Sequence, residues 1–111
     1  MTIQEIKIEI TNGFTSDYCS LVSEDGVESA ILRFDKNKVE KILDELKWLS
    51  IKIGATTYAS LLYLDFVSFE FDKEPEYHRV DSIRLSSDGI ITVESSSKHD
   101  PLDCFETTVE V

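Results

Sequence analysis

The chain has 111 residues, of which 22 are Asp or Glu and 11 are Lys or Arg, for a formal charge of −11 at pH 7. That balance excludes the basic footprint a nucleic-acid-binding surface requires, and a hydrophobic fraction of 41% excludes the disordered class. The length fits one domain over residues 1–111, large enough to bury a core without a metal or disulfide to hold it.

The start, Met1 to Lys7, mixes charged and apolar residues and has no apolar run of the kind a secretory signal carries. The longest apolar stretch, Tyr58 to Val67, is too short for a bilayer and contains Asp65. The expected compartment is the cytoplasm, with no membrane contact.

Asn12-Gly13 and Asp25-Gly26 are both two-residue hairpin signals, because type I′ turns need positive φ at both centres. Together they predict a three-stranded meander over the first 34 residues. Such turns fix register. The first sets Ile6 opposite Cys19 and Ile8 opposite Asp17. The second sets Cys19 opposite Leu32, Leu21 opposite Ala30 and Asp17 opposite Phe34. One face then collects Ile6, Ile8, Ile10, Cys19, Leu21, Ala30, Leu32 and Phe34, with Asp17 as the exception, while Glu5, Lys7, Glu9, Ser16, Tyr18, Ser20, Ser29, Ile31 and Arg33 fall on the other, mostly polar face.

A helix follows, with Asp35 as N-cap and Gly54 just past its end. Val39, Ile42, Leu43, Leu46, Leu49 and Ile53 recur at helical spacing and form a stripe that should cover the meander's apolar face. Trp48 lies opposite that stripe on a helical wheel, which makes it a candidate interface anchor.

Residues Ser60 to Phe71 are apolar on both sides of the alternation and predict one long central strand. Lys73-Glu74-Pro75-Glu76 reads as a loop. Arg79–Ser86 and Ile90–Ser96 then form a hairpin. A two-residue turn at Asp88-Gly89 would set Ile83 against Glu94. A three-residue turn with Gly89 left-handed sets Ile83 against Val93 and Leu85 against Ile91, and is preferred. A last strand runs from Cys104 to Val111. The expected fold is α+β: a mainly antiparallel sheet of about seven strands, βββα and then four strands, with a single helix packed on one face.

Chemistry is sparse. His78, His99, Asp100, Asp103, Cys104 and Cys19 are the available metal ligands, but none has paired-ligand spacing, so no metal is expected. Cys19 falls in mid-strand on the core face, where a thiol is inert. Both cysteines read as reduced, partly buried thiols, and no G-x-S-x-G elbow or phosphate-binding glycine loop is present. No catalytic residue and no cofactor is expected. Asp65, an acid inside an apolar run, leaves one alternative: a ligand-binding or enzymatic pocket with Tyr63 and His78.

The charge is uneven. Residues 1–34 hold six acids and two bases, residues 35–54 four acids and five bases, and residues 55–111 twelve acids and four bases. The densest run is Glu70, Asp72, Glu74, Glu76 and on to Asp81. With Trp48, these are the candidate partner-binding residues, and the expected partner is a basic protein. By elimination the sequence points to a small intracellular inhibitor, most concretely an immunity protein that occludes the site of a cationic toxin such as a nuclease. A DNA-mimic anti-defence protein of phage origin shares the physics, with spaced carboxylates such as Glu5/Glu9 and Glu106/Glu110. A structural homodimer that buries the second face of the Leu61–Phe71 run is a further alternative.

Overall fold

The computed structural model of the chain describes residues 3–13, 19–63, 70–73, 76–97 and 104–111, with backbone alone at 63, 70–73, 76–78 and 97. In chain order these form β1 (Glu5–Thr11), β2 (Cys19–Glu24), β3 (Val27–Asp35), α1 (Lys36–Ile53), β4 (Tyr58–Ser60), a 3₁₀ turn (Leu61–Tyr63), β5 (Glu70–Lys73), β6 (Glu76–Ser86), β7 (Ile90–Ser97) and β8 (Cys104–Glu110). The fold is α+β with mostly antiparallel pairing, in the expected order of three strands, a helix and then strands. The strands make two sheets rather than one: β1-β3-β2, and β4-β6-β7-β8 with β5 also on β6.

The first sheet corrects the meander. β1 runs parallel to β3, with Ile6 beside Ala30, Ile8 beside Leu32 and Ile10 beside Phe34. The hairpin at Asn12-Gly13 does not form, since β1 and β2 flank β3 on opposite sides, and Ile6 does not pair with Cys19; the expected Ile8–Asp17 pair lies outside the described residues. Turn geometry accounts for the difference. Asp25 and Gly26 both have positive φ, 51° and 78°, as a type I′ turn demands, whereas of the other pair only Gly13 does. β3 then takes the centre because it carries three fully buried apolar residues, Ala30, Leu32 and Phe34. The β2–β3 hairpin keeps its expected register, Cys19 with Leu32 and Leu21 with Ala30; the Asp17–Phe34 pair lies outside the described residues. Membership of the apolar face survives the change of neighbour, because alternation along a strand does not depend on which strand lies beside it.

Helix α1 begins where Asp35 Oδ1 accepts from the Asn37 amide at 3.0 Å and ends at Gly54, whose φ is 76° and whose amide donates to the Ser50 carbonyl. Val39, Leu43 and Leu46 are buried, in one cluster with Leu32 and Phe34 of the first sheet and Ile83, Leu85 and Ile91 of the second. Burying each such side chain contributes about 1.5–3 kcal/mol, more than helix propensity could. The stripe outruns the sheets: Leu49 is 38% and Ile53 65% exposed.

The expected central strand over Ser60–Phe71 is corrected at its start, and residues 64–69 of it lie outside the described residues. β4 stops at Ser60, and Leu61 is carried into the core on the 3₁₀ turn. β4 and β5 both pair antiparallel with β6, Tyr58 with Ser86 and Glu70 with Arg79, so they lie end to end along its edge. An apolar run without alternation shows burial but cannot distinguish a strand from a buried turn. Splitting that run makes eight described strands where about seven were expected.

The β6–β7 hairpin has the preferred register, Ile83 with Val93 and Leu85 with Ile91, with Gly89 at φ 85° and its amide on the Ser86 carbonyl. β8 pairs with β7 and ties back to the first sheet, where Thr107 Oγ1 donates to the Ile6 carbonyl at 3.0 Å.

Candidate functional site

β7 buries Ile91, Val93 and Ser95 against the core, so the intervening Thr92 and Glu94 stand on the outer face of the second sheet. On β8 the exposed residues Glu106, Thr108 and Glu110 share that face. Register sets Glu94 directly opposite Glu106. A shift in the β6–β7 ladder between Val80 and Ser82 leaves Asp81 unpaired as a bulge, a device that re-aims a side chain. Asp81, Glu94 and Glu106 line one cleft of about 190 Å³ with Ser95, Cys104 and Phe105.

Two arginines partly balance these acids. Arg79 Nε lies 3.5 Å from Asp81 Oδ1, and Arg84 Nη2 lies 2.6 Å from Glu94 Oε1. Both pairs are largely exposed, so each contributes about 0–1 kcal/mol. Glu106 and Glu110 have no ion pair among the described residues. Like charges directly opposite in a sheet repel, so the face stores an excess of negative charge that a cationic surface would relieve.

Of the residues singled out from sequence, Asp81 is exposed in the bulge. Glu70, Asp72 and Glu76 have their backbones in the β5–β6 ladder, paired with Arg79, Tyr77 and Lys73; their side chains, and Glu74 altogether, lie outside the described residues. Trp48 is 60% exposed. It lines a separate cleft of about 470 Å³ with Asp44, Glu45 and Leu49, and Lys52 Nζ sits 5.0 Å from its ring centroid. The structure therefore does not gather Trp48 and Asp81 into one site. Glu94 was not singled out, and Glu106 entered only as one of the spaced carboxylates of the DNA-mimic alternative. Their outward positions follow from alternation, but their pairing across β7 and β8 has no tight turn to announce it.

Among the described residues no three His, Cys, Asp or Glu side chains gather closely enough to hold a metal ion. Cys19 is the first described residue of β2 and is half-buried against the core. Cys104 opens β8 and is exposed rather than partly buried, and neither thiol is in a disulfide. The pocket considered for Tyr63, Asp65 and His78, and the ligands His99, Asp100 and Asp103, fall outside the described side chains. No described helix is long and apolar enough to cross a membrane. In comparisons with known proteins, no family model, curated protein or solved structure matches the chain.

Proposed function

We propose that the chain is a small cytoplasmic inhibitor that binds one basic protein, most concretely an immunity protein that neutralises a cationic toxin such as a nuclease. The observation that carries this reading is the cleft where Asp81, Glu94 and Glu106 converge on the outer face of the second sheet. A nuclease holds substrate phosphates with Arg and Lys through charge-assisted hydrogen bonds, and carboxylates satisfy the same donors. Laid over such a site, this face puts carboxylates where phosphates would sit, and inhibition follows from occlusion. The acidic run Glu70, Asp72, Glu74 and Glu76 precedes the bulge in sequence and would widen the contact. A charge of −11 raises the association rate with a basic partner and makes it salt-sensitive.

The test is affinity capture from native lysate on the immobilised chain at low and high ionic strength, followed by titration of the recovered protein. Recovery of one basic protein, lost at high salt and weakened by Glu94→Gln with Glu106→Gln, is the expected result. No binding at micromolar concentration to any basic protein would overturn the reading. The same face, with Glu106 and Glu110 exposed on β8, also suits a DNA mimic. Duplex DNA that competes for the captured protein selects the mimic, and a partner indifferent to DNA selects the immunity protein.

A further inference from the structure

Helix α1 packs its buried side against β3, β4 and β6, while Glu45, Trp48, Leu49 and Lys52 form a second stripe at i, i+3, i+4 and i+7 along its exposed flank. All four residues are exposed. An apolar pair of this size left in water, with an open cleft beside it, marks an interaction surface.

The charges on the stripe identify its occupant. An acid stands three residues before Trp48 and a base three residues after Leu49. This order reads the same when a second helix is laid antiparallel with the two-fold axis between Trp48 and Leu49. Glu45 of one copy then meets Lys52 of the other, twice, and each Trp48 meets the other copy's Leu49 beside the cleft lined by Asp44 and Glu45. Isologous contacts require this kind of self-complementarity. A basic partner would find Lys52 in its way. The helix is also the segment best suited to self-contact in so acidic a chain, because residues 35–54 hold four acids against five bases while both flanking segments are strongly acidic.

We infer that a second copy of this chain docks on the Glu45–Trp48–Leu49–Lys52 stripe of α1 to form an antiparallel, two-fold dimer. The stripe spans two turns, so the dimer is weak and concentration-dependent. The acidic cleft is on the outer face of the second sheet, away from the helix, and stays open in both copies. The inference does not rest on the proposed inhibitor function.

Sedimentation equilibrium from about 1 µM to about 1 mM reads the association directly. The expected result is a mass rising from monomer to dimer, abolished by Trp48→Ala. Glu45→Lys and Lys52→Glu should each weaken the dimer about five- to tenfold, since every reversal puts two like-charged pairs in contact. Both positions are exposed, so circular dichroism should show folded variants. Mixing the two single variants restores opposite charges at both contacts of the mixed dimer, so the mixture should associate to within about twofold of the parent. The double variant should recover in the same way. A chain that stays monomeric throughout, or charge-reversed variants that fail to rescue each other, overturns the inference.

Discussion

Glu94 and Glu106 face each other directly across the β7–β8 ladder, with Arg84 bonded to only one of them. A cross-strand pair of like charges destabilises a sheet, and an opposite pair in its place contributes roughly 0.2–1 kcal/mol. Glu106→Lys should therefore raise the unfolding free energy by up to about 1 kcal/mol in urea denaturation. If the face binds a basic protein, the same change should slow association with it. A variant both more stable and equally fast to bind would remove Glu106 from the contact.

The parallel placement of β1 makes a prediction that separates it from a meander. With β3 in the centre, its amides at Ala30, Leu32 and Phe34 lie between two neighbours, while β2 is an edge strand. Native-state hydrogen exchange should show the slowest amides of the first sheet in β3 and faster exchange in β2. A meander would reverse this, with β2 slowest.

How far the sequence revealed the fold depends on which physical signal each element offered. Asp25-Gly26 and Ser87-Asp88-Gly89 announced their hairpins because a short turn and a two-residue alternation must agree, and both registers are found. β1 was misplaced because Ile6, Ile8 and Ile10 would lie on the same face whichever neighbour they took. Alternation defines faces but is blind to strand order. The run after Ser60 failed for a different reason: its sequence is apolar without alternation, so Leu61 on a turn and a residue in a strand leave the same trace. At the candidate site, the outward positions of Glu94 and Glu106 and the exposure of Trp48 were legible from periodicity. Convergence of the acids was not, since it needs the bulge at Asp81 and a long-range register.

Asp35 is the last residue of β3 and the cap of α1, buried with its carboxylate on the Asn37 amide. Asp35→Ala leaves that amide without its acceptor and should cost about 1 kcal/mol, with Asp35→Asn costing less because an amide oxygen still caps. Thermal and urea unfolding check both. Equal losses for the two variants would mean that the carboxylate's charge at the helix N-terminus, not the capping hydrogen bond, sets the effect.

Gly54 offers a cleaner measurement, because two contributions that usually mix are separated there. Its φ of 76° is the left-handed conformation that ends the helix, and an added Cβ would meet nothing within 4 Å. Gly54→Ala therefore has no steric contact to repay or relieve, and the whole cost is the left-handed backbone, about 1–2 kcal/mol. Gly54→Asn should recover part of it, since Asn enters that region more readily. The position also lies one turn beyond the Trp48–Leu49 stripe. If the helix end frays in Gly54→Ala, Lys52 loses its fixed place opposite Glu45 of the second copy, and self-association should fall along with stability. Urea unfolding and sedimentation of the three proteins, run side by side, test this. A Gly54→Ala chain as stable as the parent would show that the helix does not depend on its left-handed stop.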